Sequence, residues 1–272
     1  MTTQVPAIEP PLVDAHAHIY TLDMPMSGSA WHKPPADATI GQYLKTLDDH
    51  GVRFAVMAAA SIYGDYNDYA IDACRAHPRL RTTVIVDPGI DRYVLEQMKA
   101  DGVVGIRFQR RNVKTPPDLA TPEYRKLLRR VADLDWHVHL HDEGARLPPA
   151  IAALEAAGVK LVIDHFGRPT AELGVNCPGF QAVLRSVERG RTWVKLSAGF
   201  RMPSDEAAAR YAAELLKVGG PERLVWGSDW PFAAYESKVS YQDTIDSFAR
   251  WVPDPALRRR IGGETPLALY FS

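Results

Sequence analysis

Two histidines two residues apart, His16 and His18, close the apolar run "LVDAHAHI" at 12–19. Side chains two apart on a strand share a face, so the two imidazoles point the same way. A pair so placed can hold one metal ion, or can bind and polarise one substrate oxygen. The spacing recurs at His139 and His141 in "WHVHLHDE". Asp164 and His165 end "KLVIDHFG", and Ser228, Asp229 and Trp230 end "RLVWGSDW". Imidazole and carboxylate suit zinc, and a catalytic zinc keeps one position open for water. A third histidine from the 136–143 run and Asp229 would complete such a site. Zinc would bring the pKa of that water to about 7. Without a metal, Asp229 must activate the water itself. Asp14, two residues before His16, is expected to point inward one layer lower and to anchor a histidine by a hydrogen bond.

These residues need elements to gather them. Apolar, β-branched runs occur at 12–19, 54–60, 81–88, 103–109, 136–143, 160–167, 192–199 and 223–230. Helix-like stretches lie between them. "TIGQYLKTLDDHG" opens on a Thr cap and stops at Gly51, and "TPEYRKLLRRVADLD" has Thr121 as N-cap and Pro122 in the first helical position. "LPPAIAALEAAGV" and "SDEAAARYAAELLKVGG" are rich in Ala, the best helix former. "YQDTIDSFARWV" and "PALRRRIGGETPLALYF" supply the last helical layer.

Eight such units predict an α/β chain closed as a single (β/α)8 TIM barrel, one domain over 1–272 with an N-terminal arm at 1–11. The alternative, a doubly wound open sheet, usually carries a Gly-rich phosphate loop after its first strand, where this chain has histidines. Barrel active sites lie at the C-terminal ends of the strands. Four separate strands thus deliver His or Asp to one end of one barrel. "WHKPPA" (31–36) and "RNVKTPPDLATP" (111–122) are expected as loops after the first and fourth strands.

The bulk numbers narrow the function. A formal net charge of −1 argues against a dedicated nucleic-acid binder. Only Cys74 and Cys177 occur, without a CxxC motif, so free buried thiols in a reducing compartment are expected. "MTTQVPAIEPP" lacks the basic and apolar regions of a signal peptide. No uncharged apolar run approaches the roughly 20 residues of a membrane span. A cytoplasmic protein without membrane or nucleic-acid partners is the expectation, with homo-oligomerisation left open.

"DAHAHIY", "GIRFQ", "VIDHFGRP" and "VWGSDWPF", in that order, resemble the amidohydrolase superfamily, and within it the lactonase branch of the pyrone-dicarboxylate type. The resemblance runs from Val13 to the C-terminal tail. "DHFGRP" with "WGSDWP" is specific to the branch, whereas "DAHAH" alone indicates only the superfamily. The resemblance implies a distorted (β/α)8 barrel that hydrolyses lactones of sugar acids or of aromatic catabolism. By motif, His16, His18 and His165 would polarise the carbonyl, and Asp229 would be the base that activates water. Arg107 and Arg168 would grip substrate carboxylates, with Arg201, and Arg110 or Arg111, in similar parts. One position departs from the branch: its metal-free members carry Tyr at the end of the fifth strand, where this chain has His141. His141 is the fifth-strand ligand of metal-dependent superfamily members. His16, His18, His141 and Asp229 would then form a mononuclear metal set. The cofactor is either none or one divalent ion, zinc foremost.

The expected partner is a small anionic lactone. Arg107 ends an inward-facing strand, a poor place for an unpaired charge, and a ligand carboxylate is its expected partner over a protein one. Lys195 could reach the pocket or pair with a barrel carboxylate. Ser61, Tyr63 and Asn67 could shape the pocket, and Trp31 could lie over it as a lid. His32, His50, His77 and His137 lack convergent partners and are expected to be structural or solvated. Trp226 and Trp230 are expected to pack. A zinc-dependent decarboxylase and a non-catalytic carboxylate-binding barrel are the competing functions.

Overall fold

A computed structural model describes residues 8–272. The first seven residues of the arm expected over 1–11 lie outside the described residues. Eight strands form one parallel sheet in chain order: β1 (Val13–Ala17), β2 (Phe54–Met57), β3 (Leu80–Val84), β4 (Val103–Gln109), β5 (His137–His141), β6 (Lys160–Ile163), β7 (Thr192–Ser197) and β8 (Leu224–Gly227). The ring closes where β8 meets β1. Ala17 bridges Trp230, the His18 N–H donates to the Trp230 carbonyl, and the Asp229 N–H donates to the His16 carbonyl. This is the expected (β/α)8 barrel.

Strands six and eight are shorter than their apolar runs. β6 stops at Ile163 and β8 at Gly227, so Asp164–His165 and Ser228–Trp230 lie in the turns that follow. The reason is backbone conformation: His165 (φ 52°) and Asp229 (φ 64°) sit in the left-handed region, which no strand continues through.

The principal helices are α1 (Ile40–Asp49), α2 (Asp68–Ala76), α3 (Arg92–Ala100), α4 (Pro122–Asp133), α5 (Leu147–Ala156), α6 (Pro178–Glu188), α7 (Asp205–Gly219) and α8 (Tyr241–Trp251), with a further helical run at 255–270. Thr39 caps α1 in a capping box: its hydroxyl accepts from the Gln42 N–H, and the Gln42 side chain accepts from the Thr39 N–H. Gly51 follows at φ 73°, the conformation that ends a helix. Pro122 opens α4 as expected, but Thr121 makes no side-chain capping bond.

Alternation on the strands divides the barrel into two apolar regions. Leu161, Ile163, Leu196, Leu224 and Trp226 face outward and pack in one cluster with Leu127, Leu154, Val183 and Leu215 of the helices. Ala15, Val56, Val162 and Val225 face inward and are plugged by Leu269 and Tyr270 from the C-terminal run. The inner plug occupies the base, which leaves the upper interior for polar groups. Cys74 and Cys177 are buried free thiols. Among the described residues, no helix is long and apolar enough to cross a membrane.

Asp14 corrects an expectation. The register slips between Asp14 and Ala17, and Asp14 reaches the helical layer instead of a lower interior layer. It accepts hydrogen bonds from the hydroxyls of Tyr43 on α1 and Tyr241 on α8, from the Ser228 N–H and hydroxyl, and from the His16 backbone N–H. It therefore fixes the backbone of β1 and of the turn after β8, not an imidazole ring. Asp14→Ala would strand several buried donors, at roughly 1–3 kcal/mol each before relaxation. We expect a loss of about 3–5 kcal/mol, measured by urea unfolding. A loss below about 1 kcal/mol would show that this clasp is dispensable.

Candidate active site

A pocket of about 600 Å³, open mouth included, lies at the C-terminal end of the strands. That volume suits a small ligand. His18, His141, His165 and Asp229 line its depth, with Arg107, Arg111, Arg168 and Arg201 around them. His16 lies just beneath, fully buried, its Nε2 3.2 Å from His18 Nε2. β8 comes this close to β1 because residue 227 is glycine: a Cβ there would stand 2.5 Å from the His16 Cβ.

Three imidazoles surround one carboxylate oxygen. Asp229 Oδ1 lies 3.5 Å from His16 Nε2, 3.4 Å from His18 Nε2 and 3.9 Å from His165 Nε2. Arg201 Nε donates to the other oxygen at 2.9 Å. Burial alone would raise the Asp229 pKa, but the Arg201 guanidinium and the neighbouring histidines more than offset it and hold the carboxyl well below its usual range. Burial also pushes the His16 pKa down to about 3 and that of His165 well below its usual value. At neutral pH the site is an ionised carboxylate among imidazoles of which at least these two are uncharged. Of the eight described non-glycine residues with positive φ, seven follow β6, β7 or β8, and they include His165, Arg168 and Asp229. Backbone strain is thus gathered at this mouth, as it is at functional sites generally.

Below the pocket lies a charged layer. Asp164 Oδ2 accepts from Arg107 Nε and Nη2, both at 3.1 Å, and Arg107 Nη1 donates to the Ala59 carbonyl. The expected ligand partner of Arg107 is therefore corrected: a protein carboxylate on the turn after β6 meets it first, although Arg107 still borders the pocket. Lys195, with no exposed surface, lies 3.1 Å from Asp164 Oδ1 and takes the barrel-carboxylate alternative. Its Nζ also meets His16 Nδ1 at 2.8 Å and His139 Nδ1 at 3.0 Å. His139 belongs to this layer and does not line the pocket.

The other arginines divide. Arg168 lines the pocket and forms no ion pair among the described residues, and burial with Arg111 and Arg201 nearby lowers its pKa to about 10, so it stays charged at neutral pH. Arg111 makes only a loose pair with Glu143 at 3.5 Å. Arg110 is a further correction: its Nε donates to Asp142 and its Nη1 to the Pro117 carbonyl, and it does not line the pocket. His141 lines the pocket with both ring nitrogens buried and unpartnered, so a ligand there would meet two unsatisfied positions.

Ser61 and Trp31 line the pocket, whereas Tyr63 and Asn67 do not. Asn67 instead ties its loop to Ile85. His32 was expected to be structural, yet it lines the pocket and bonds Glu236 at 2.8 Å, joining the loop after β1 to the loop after β8. Gln109, the last residue of β4, and Asn112, just after it, also line the pocket and carried no sequence signal beyond their place in the chain. His50 and His137 bond backbone carbonyls, as structural residues do. Trp226 is buried in the core, and Trp230 stacks on Tyr43.

Two groups bring possible metal donors within 4.8 Å of one another: His16, His165 and Asp229, and separately His141, Asp164 and His165. The expected set of His16, His18, His141 and Asp229 is not assembled as one group. The edges joining His16 Nε2, His18 Nε2 and Asp229 Oδ1, at 3.2, 3.4 and 3.5 Å, match the roughly 3.3 Å edge of a tetrahedral zinc site with bonds of about 2.0–2.1 Å. Proton placement does not match. A ligating histidine donates its far N–H to an acceptor. His18 does so, to the Ala58 carbonyl at 2.7 Å, but His16 Nδ1 lies closer to the Lys195 amine, at 2.8 Å, than to its one carboxylate neighbour, Asp164 Oδ1, at 3.3 Å. The donor set has the spacing of a metal site and does not fit a resident cation at His16.

The family model described as "Amidohydrolase" matches residues 13–271. A 4-sulfomuconolactone hydrolase from Hydrogenophaga intermedia is 28% identical over 94% of this chain and 88% of its own length. A 2-pyrone-4,6-dicarboxylate hydrolase from Comamonas testosteroni is 27% identical over 95% and 90%. A crystal structure from Acinetobacter baumannii, of a probable 2-pyrone-4,6-dicarboxylic acid hydrolase with citric acid bound, superposes with a TM-score of 0.92 at 29% identity, over 96% of this chain and 100% of that one. More distant structures share the fold alone, among them a zinc-bound Burkholderia multivorans protein and a Rhizobium 2,6-dihydroxybenzoate decarboxylase, each 17% identical.

The Arg201–Asp229 pair generates a pH test. Asp229 should remain ionised throughout pH 5–8, because its folded pKa lies below the ordinary carboxylate range. An adjacent guanidinium depresses a carboxyl by about 1–3 units. In Arg201→Gln, the Asp229 titration followed by carboxyl carbon-13 NMR should move upward by at least about one unit. An unchanged titration would show that Arg201 does not hold the Asp229 carboxyl down.

Proposed function

Because the chain belongs to the amidohydrolase family, we propose that it hydrolyses the ring ester of a carboxylated lactone. One observation carries this conclusion: three imidazoles converge on a single carboxylate oxygen, beside an arginine, Arg168, that forms no ion pair among the described residues. The relatives named for sulfomuconolactone and pyrone dicarboxylate hydrolysis support the same class of substrate. The chain acts here as one barrel domain.

The lactone carbonyl oxygen would lie against the Nε2–H groups of His16 and His165, with His18 beside them. The Ser197 hydroxyl, 2.8 Å from His165 Nδ1, can donate to that nitrogen and leave Nε2–H facing the pocket. Each well-placed donor to the developing oxyanion is worth about 3–4 kcal/mol. The Asp229 carboxylate takes a proton from water as the water oxygen bonds to the carbonyl carbon. The tetrahedral adduct collapses with cleavage of the ring C–O bond, and the leaving oxygen takes the proton from Asp229. One water enters and one open-chain hydroxy acid, or its enol, leaves. A carboxylate held so far below its usual range is always ionised but weakly basic. Polarisation of the carbonyl therefore carries more of the barrier than the basicity of Asp229.

Charge balance places the substrate. Arg107 faces Asp164 and Arg201 faces Asp229, so the surplus positive charge belongs to Arg168 and Arg111. Arg168 is the first grip for the lactone carboxylate, and its planar fork suits bidentate recognition. His141 offers the same ligand a neutral contact. The mismatch at His16 supports a hydrolase that works without a resident metal.

Asp229→Asn should lower kcat by about 10²–10⁴-fold with an unaltered circular dichroism spectrum. Turnover equal to wild type would remove the assigned base. Arg168→Ala should raise KM for a carboxylated lactone by about 10–100-fold, from a charged hydrogen bond of about 1.5–3 kcal/mol, and leave KM for a neutral lactone unchanged. Mass spectrometry of the product separates the competing functions. Gain of one water supports hydrolysis, loss of carbon dioxide supports a decarboxylase, and binding without turnover supports a carboxylate-binding barrel.

A further inference from the structure

Lys195 is buried on β7 and forms no part of the pocket wall. An ammonium has three N–H donors and no acceptor. Two of them go to ring nitrogens, His16 Nδ1 at 2.8 Å and His139 Nδ1 at 3.0 Å. The remaining side faces Asp164 Oδ1 at 3.1 Å. A ring nitrogen that accepts is bare, so each of these neutral rings carries its proton on Nε2. His18 is the reverse case. Its Nδ1 lies 2.7 Å from the Ala58 carbonyl, which only accepts, so in the neutral ring the proton sits on Nδ1 and Nε2 is bare. The two rings interlock, with His16 Nε2–H donating to His18 Nε2 at 3.2 Å. The other tautomer of His16 would set two N–H groups against each other at the Lys195 contact. It would also face two bare nitrogens together at the His18 contact. Asp164 Oδ1, 3.3 Å from His16 Nδ1, accepts no well-aligned hydrogen bond that would favour it.

We propose that Lys195 is a positioning residue that holds His16 as the Nε2–H tautomer, a donor that turns from His18 to the substrate carbonyl when one binds, and that this closes His16 to a divalent cation. The identity of that carbonyl rests on the lactone function above, whereas the tautomer does not. Removing Lys195 frees His16 to turn its Nδ1–H toward Asp164 and to present a bare Nε2 to a metal.

The test uses the full-length protein labelled with nitrogen-15 histidine and two-bond proton–nitrogen correlation, with His16 and His18 assigned from H16Q and H18Q. The expected spectrum shows His16 protonated at Nε2 and His18 at Nδ1. His16 protonated at Nδ1 overturns the proposal. Zinc titration by calorimetry provides a second readout. Lys195→Met should bind zinc at least about tenfold more tightly than the unaltered protein, the scale on which groups behind a ligand tune metal affinity. Equal affinity, or one zinc per chain retained by the unaltered protein after dialysis, overturns it. If Lys195→Met does not fold, the spectrum and the zinc content of the unaltered protein decide. A protein with the expected tautomers that opens no lactone defeats the proposed function and leaves Lys195 in its role.

Discussion

The carboxylate of Asp164 is the constraint on which the upper barrel depends. It lies inside the ring of strands with Arg107 on one oxygen and Lys195 beside the other, and none of the three is more than 4% exposed. Taking such charges out of water is costly, and losing one partner of a buried pair costs about 3–5 kcal/mol. The three groups must therefore arrive together, from β4, β7 and the turn after β6. Once assembled, they sit between the apolar plug formed around Val56, Val162 and Tyr270 and the imidazoles of the pocket. The plug keeps water from the base, and the charged layer sets the environment of His16.

The rest of the site is built on this floor. His16 is held from behind by Lys195 and along its backbone by Asp14, so its ring has little freedom. Asp229 is held by Arg201, which itself packs over the rings of Phe200 and Tyr235. His16 and Asp229 thus have fixed neighbours before a ligand enters. Preorganisation of this kind is the largest source of electrostatic catalysis in acyl transfer. The less committed groups, Arg168, Arg111 and His141, also line the pocket.

Much of this was legible in the sequence, for a physical reason. Strand alternation and helix caps are local, and so the eight units, the cap at Thr39 and the stop at Gly51 could be read directly. His16, His18, His165 and Asp229 were legible because strand tips in a barrel share one end. Failures came where partners are distant. Nothing near Arg107 in sequence announces Asp164, and nothing near Arg110 announces Asp142. Asp14 was misdirected because a register slip is invisible in a period-two pattern. His32 was passed over because its partner, Glu236, lies 204 residues away.

The left-handed backbone at His165, Arg168 and Asp229 has an evolutionary consequence. Glycine would relieve about 1–2 kcal/mol at each position while deleting the side chain. If the proposed function holds, thermodynamic fitness and catalytic fitness pull in opposite directions at the same three codons. A lineage released from selection for turnover would drift toward glycine there, growing sturdier as it fell silent.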